Sequence, residues 1–206
     1  MHTPARLRKV LPTLPRITIH GLWSRAIGFD LLKGPPPGAP AGSSPQPLWP
    51  GGPALSGARF TPKGGFNSLY LADDPVTALH EVVSVFSPPH GPPVTIKTSP
   101  WVVAAVDGVL SNVVDLTEPA FQRKLGTTTA ELTGEWAYTQ AISGIAPTQI
   151  LGQAAFDCGV LGFRYVSAKN ITGGRAVVVF SDHLSANPLS FVEVVDMHGN
   201  LRQRLP

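Results

Sequence analysis

The chain has 206 residues, 43% of them apolar and 14% charged, with 21 Gly and 22 Pro. That length supports one well-buried domain, and a net charge of +3 permits an anionic ligand without demanding nucleic acid. No run reaches the roughly 18 apolar residues of a membrane span, and the single Cys158 excludes an internal disulfide framework, so a reducing, cytoplasmic setting is expected.

Residues 1–16 read as an N-terminal arm in which Arg6, Arg8, Lys9 and Arg16 meet no acid before Asp30. Pro4, Pro12 and Pro15 argue against an amphipathic helix there. With no interleaved aromatics and no helix-turn-helix pattern, direct nucleic-acid binding is not expected. ITIHGLWSRAIG, carrying Trp23 and Arg25, is β-branched at first and apolar at alternate positions, which predicts a strand. Residues 34–53, GPPPGAPAGSSPQPLWPGGP, are too rich in Pro, Gly and Ser for helix or strand and read as a long loop, either an insertion or a lid.

GARF follows, a Gly-flanked turn with Arg59, and then the short apolar run SLYLA with Tyr70. Asp73, Asp74 and Pro75 mark a helix start. The helix is predicted over 74–86, with Val76, Leu79, Val83 and Phe86 forming one apolar stripe, Glu81 off that stripe, and Pro88 and Pro89 ending it. VTIK at 94–97, WVVAAV at 101–106 and VLSNVVDL to Asp115 are three strand candidates. EPAFQRKL, ELTGEWAYTQAI and PTQILGQAAFDC are helical, the last closed by Gly159. GFRYVSA, RAVVVF and LSFVEVVDM return to strand. Strands on both sides of a helical middle, without regular βαβ alternation, predict an α+β domain.

Several chemistries lack their motifs. There is no GxSxG elbow, P-loop, strand-following GxGxxG, HExxH or Cys/His zinc spacing, so neither a metal nor dinucleotide redox chemistry is expected. Cys158 in AAFDCGV reads as a small buried hydrophobe. What stands out is an arginine, a tyrosine and a helical glutamate delivered close together between Gly57 and Glu81.

GARF, LYLADDPVTALHE, DLT at 115–117, PTQILGQAAFDCGVLGFRYVSAK and GGRAVVVF together resemble, in order, the RES domain, named for its arginine, glutamate and serine. The resemblance covers a core of about 22–182 within a single domain over 1–206. It implies a fold similar to ADP-ribosyltransferases and an activity that consumes NAD as substrate. In many members it also implies a toxin held by a cognate Xre-type DNA-binding antitoxin, in a hetero-oligomer and without a membrane. Arg59 matches the family arginine, Glu81 the glutamate, Ser167 in RYVSAK the serine and Tyr70 the accompanying tyrosine. Arg25 resembles a further arginine near the family's N-terminus, with Ala26 where some members carry an aromatic residue.

The implied roles suit the residue types. Breaking the nicotinamide–ribose bond develops positive charge on the sugar, as in glycoside hydrolysis, and a fixed carboxylate at Glu81 opposes that charge. Arg59 and Arg25 offer permanently charged forks to the pyrophosphate. Tyr70 can stack on the nicotinamide, and Ser167 can orient Glu81 or the ligand. The acceptor stays open between inorganic phosphate as co-substrate, with Arg25 or Lys169 beside the ribose, water, and a protein side chain. A non-catalytic NAD-binding protein of the same fold is the other reading.

Overall fold

The computed structural model describes residues 1–34, 36–38, 44–82, 85–86, 94–95, 100–169, 173–196 and 201–206. The chain opens with helix α1 (Pro4–Val10) and a 3-10 turn at Leu11–Thr13. This corrects the expectation of a helix-free arm. Pro4 occupies the first helical turn, where its missing N–H leaves no bond unmade, and Pro12 starts the tighter turn. Leu7, Leu11 and Leu14 are buried. Arg8 pairs with Asp157 at 2.7 Å and the terminal amine with Glu131 at 3.2 Å, so the segment is fastened onto the domain.

Strand β1 (Ile17–Gly28) follows, then a helical turn α2 (Asp30–Lys33) and α3 (Gly51–Ser56), which begins inside the segment predicted as loop. Leu48 in that segment is also fully buried, and its amide donates to Gln203 Oε1 at 2.7 Å. Residues 35 and 39–43 lie outside the described residues. Next come β2 (Ser68–Ala72) and α4 (Pro75–Val82). Two short strands, β3 (Val85–Phe86) and β4 (Val94–Thr95), pair with each other. The predicted helix therefore ends earlier than Phe86, while Pro88, Pro89 and positions 96–97 lie outside the described residues.

Strand β5 (Trp101–Asp115) runs straight through what reads as two strands. Gly108 does not break it because β8 (Phe191–Val195) pairs antiparallel with it there. A Cβ at Gly108 would come within 2.4 Å of the Phe191 carbonyl, so the glycine serves close backbone approach. The predicted helix over 131–142 is likewise two, α6 (Thr129–Thr133) and α7 (Trp136–Ser143), flanked by α5 (Pro119–Leu125) and α8 (Pro147–Asp157). The break falls at Gly134, in extended backbone. Strands β6 (Gly162–Val166) and β7 (Arg175–Phe180) precede β8, and β9 (Arg202–Leu205) closes the chain.

Among the described residues, seven strands form one mixed sheet in the order β1-β2-β7-β6-β5-β8-β9, and β1 also pairs along β5. The sheet thus curls back on itself. The ring is tight at β1–β5 and barely closed at β1–β2, where Ser24 opposite Ala72 is the pairing. One core lies between the sheet and helices α1 and α8, built on Phe60, Leu151, Phe163, Tyr165, Val178 and Phe180. The other holds Trp23, Leu69, Leu71, Val106, Leu110 and Val177. Alternation along β7 sends Ala176, Val178 and Phe180 to the first and Val177 and Val179 to the second. This is the α+β architecture expected from the sequence.

Candidate active site

The turn carrying Arg59 is built by its neighbours. Ala58 and Thr61 exchange backbone hydrogen bonds of 2.8 and 3.2 Å, and Gly57 enters with φ of 82°, a conformation glycine takes without strain. Phe60 at the tip is fully buried, edge-on to Phe163 and Tyr165 with centroids 5.2 and 4.9 Å away. Its amide donates to Tyr70 Oη at 2.9 Å, and Thr61 Oγ1 lies 2.6 Å from Ser68 Oγ and 3.3 Å from Tyr70 Oη. Arg59 is buried, and its Nη1 donates to the carbonyls of Leu132 and Gly134 at 2.8 and 2.9 Å.

Tyr70 stands in β2 beneath this turn. Burial pushes its phenol up to about 12, so the hydroxyl stays neutral throughout the physiological range. It acts as acceptor and wall. Its hydroxyl is already committed to the turn, which leaves the ring for a ligand.

Glu81 comes from α4, and the helix presents it in the opposite sense to the apolar stripe. Val76 and Leu79 are exposed at 57% and 37%, whereas Thr77 and Ala78 are buried and Glu81 half-buried. Of the rest of the predicted stripe, the side chains of Val83 and Phe86 lie outside the described residues. The helix turns its less apolar face inward because that face forms the wall of a cleft. Asp74 starts it. Its carboxylate accepts from the Thr77 amide at 2.8 Å and the Thr77 hydroxyl at 2.6 Å, and these bonds, the hydroxyl first, hold the Asp74 carboxyl below its ordinary value. Asp74→Ala is expected to lower stability by about 1 kcal/mol at neutral pH. Because the folded-state value is depressed, that contribution is complete above the ordinary aspartate range and vanishes as pH falls through the lowered value. Melting curves of both proteins should therefore differ at neutral pH and converge in acid.

Ser167, buried just past β6, donates from Oγ to Glu81 Oε1 at 2.5 Å. Lys169 Nζ donates to the Glu81 carbonyl at 3.0 Å, and the Lys169 amide to Ser167 Oγ at 3.3 Å. The carboxylate is thus fixed in place by the segment leaving β6.

Arg25 completes the set from β1. Its Nη2 donates to the Trp49 carbonyl at 2.9 Å, but Nε and Nη1 are buried and have no hydrogen-bond partner among the described residues. Burial brings its guanidinium down to about 10. It remains cationic at neutral pH, and two of its nitrogens have donors to give. A cleft of about 150 Å³ opens beside it, lined mainly by apolar groups together with Arg25, Ser68, Tyr70, Glu81 and Tyr165.

The structure therefore brings Arg25, Tyr70 and Glu81 to one cleft, with Ser167 bound to Glu81 from behind. Arg59 lies outside the lining, close enough that its charge lowers the phenols of Tyr70 and Tyr165 against the larger effect of burial. Sequence reasoning missed Tyr165, although it sits inside RYVSAK, two residues before the serine. Strand alternation from Phe163 could have found it, since both face the same core. Among the described residues, no group of three or more His, Cys, Asp or Glu is placed to hold a metal, and no helix is long and apolar enough to cross a membrane.

The RES domain model matches residues 37–198, and the chain belongs to the RES domain family. Arg59, Tyr70, Glu81 and Ser167 fall within that span and Arg25 precedes it. Among solved structures, the chain is similar to one in the crystal structure of the M. tuberculosis MbcT–MbcA toxin–antitoxin complex. The TM-score is 0.57 at 19% identity, covering 84% of this chain and 81% of that one. No curated protein matches the chain.

Proposed function

We propose that this chain cleaves the nicotinamide–ribose bond of NAD and acts as the toxin of a toxin–antitoxin pair. The observation that carries the reading is the buried, under-bonded guanidinium of Arg25 sharing one apolar cleft with the Ser167-bound carboxylate of Glu81. Folding alone gives no reason to bury a cation with two idle donors. An anion completes them.

A cleft of about 150 Å³ has room for one benzene-sized ring, and the nicotinamide ring is of that size. It enters against Tyr70 and Tyr165, with the pyrophosphate spanning Arg25 and the Arg59 side. As the C–N bond breaks, its electron pair passes to the ring nitrogen and neutralises the pyridinium, and positive charge spreads over the ribose carbon and ring oxygen. Glu81 opposes that charge, and Ser167 keeps it from swinging away. With phosphate as acceptor the products are nicotinamide and ADP-ribose 1″-phosphate. With water they are nicotinamide, ADP-ribose and a proton, and with a protein side chain the ADP-ribosyl group stays on the protein.

The antitoxin reading rests on the family and on a structural relative solved as a toxin–antitoxin complex. An Xre-type partner that covers the cleft, in a cytoplasmic hetero-oligomer, is the form proposed. The test is incubation of the purified chain with NAD, with and without inorganic phosphate and with a bacterial lysate as protein acceptor, following nicotinamide and ribosyl products by mass. Nicotinamide release is expected, and the product mass names the acceptor. Absence of nicotinamide from all three arms would overturn the cleavage reading.

A further inference from the structure

Gln149 is wholly buried near the start of α8, and its side-chain N–H donors are spent outside that helix. Its Oε1 accepts from the Ala146 amide at 2.8 Å. Its Nε2 donates to the Ala58 carbonyl at 3.0 Å and to Gln140 Oε1 at 2.6 Å, with the Thr61 carbonyl also within 3.3 Å. Gln140, from α7, passes its own Nε2 to the Ser56 carbonyl at 3.2 Å. The two amides therefore grip the Arg59 turn at Ser56, Ala58 and Thr61. Gly57 and Gly152 close the fit. A Cβ on Gly57 would lie 2.1 Å from Gln140 Oε1, and one on Gly152 would lie 1.8 Å from the Phe60 carbonyl, so α7 and α8 can approach the turn only at glycines.

Beyond that turn, Arg59 is tethered by its guanidinium to the carbonyls between α6 and α7. Both ends of the side chain are thus set by the same helical layer. We propose that Gln149, relayed through Gln140, is the positioning residue of Arg59 and fixes the direction in which its guanidinium reaches the ligand. Gln149 touches no ligand and acts only through the turn. The inference rests on the reading that Arg59 binds the dinucleotide.

Chemistry separates this role from packing. Gln149→Glu keeps the shape but sets a carboxylate against three oxygen acceptors. Burial raises that carboxyl's pKa, and once protonated it can donate to Ala58 again. Gln149→Met keeps the bulk and loses the donors at every pH.

The test is a double-mutant cycle on NAD cleavage with Arg59→Ala and Gln149→Met, joined by the side-chain Nε–H resonance of Arg59 in ¹⁵N-labelled protein. Gln149→Met is expected to raise KM about 10- to 100-fold with a smaller change in kcat, and to have no further effect when Arg59 is already Ala. Gln149→Glu should recover towards the native KM as pH is lowered while Gln149→Met does not, and this comparison needs only the glutamate variant if the methionine variant does not fold. The Arg59 resonance should shift in Gln149→Met while the native melting transition is retained. Additive effects in the cycle, or an unmoved Arg59 resonance, would overturn the proposal. A shifted resonance in a chain that cleaves no NAD would leave the positioning intact and remove only the functional reading.

Discussion

Glu81→Gln is expected to lower kcat for NAD cleavage by on the order of 10²–10³-fold with KM little changed. The substitution keeps the side chain's shape and an oxygen to accept from Ser167 Oγ, so the cleft and its ligand contacts persist. What disappears is the negative charge that opposes the sugar's positive charge, and that charge exists only as the bond breaks. Ser167→Ala should act more mildly, by about 10-fold, because it loosens the carboxylate without removing it. Stopped-time assays of nicotinamide release, run beside thermal melts of each variant, check both. A Glu81→Gln enzyme with native kcat would falsify the role given to Glu81.

Arg25→Met is expected to raise the melting temperature by several degrees while weakening NAD binding by about 100-fold. Burial holds the guanidinium below its ordinary value, down to about 10 in the fold. For a base whose pKa falls on folding, the charged form is the penalised one. The penalty is therefore complete below pH 10 and relieved only as pH climbs from 10 towards the ordinary arginine range. At neutral pH it amounts to about 3 kcal/mol, partly offset by the bond to the Trp49 carbonyl. Methionine removes the charge and keeps much of the volume, so a gain of about 1–3 kcal/mol follows, worth several degrees at this chain length. The same change deprives a bound pyrophosphate of its buried cation. Melting each protein with and without ADP-ribose separates the effects. Native protein should gain stability from the ligand and Arg25→Met should not. A variant that melts lower yet is still stabilised by ADP-ribose would show that Arg25 serves the fold.

Much of this was legible beforehand, because the site's ingredients lie in short ordered segments of distinct composition. The turn around Gly57, the strand holding Tyr70, the Asp74 helix start and the strand ending before Ser167 all stand where the pattern puts them. The errors share a cause in long-range packing. Periodicity places Val76 and Leu79 inward, but α4 buries Thr77 and Ala78 instead and turns Ala78 and Glu81 to the cleft. The pattern divides 101–115 into two strands, yet the backbone of β8 packs against Gly108 and one strand runs through. The prolines of the N-terminus looked like helix breakers, yet a proline in the first turn costs a helix nothing. Gln149 accepts locally from Ala146, but its bonds to the turn reach Thr61 and Ala58, 88 and 91 residues away in sequence, where no local pattern points.

The strand order also sets when the molecule becomes whole during its own synthesis. The strand bearing Tyr70 is flanked by β7, and Glu81 takes its hydroxyl partner from a residue 86 positions later. At about 5–20 residues per second, Glu81 waits roughly 4–17 s for Ser167 to be made. Until then the nascent chain has a carboxylate with nothing to hold it and a β2 edge with no neighbour. The cleft closes only as the last quarter of the chain arrives, with Tyr165 and Ala176 among its lining.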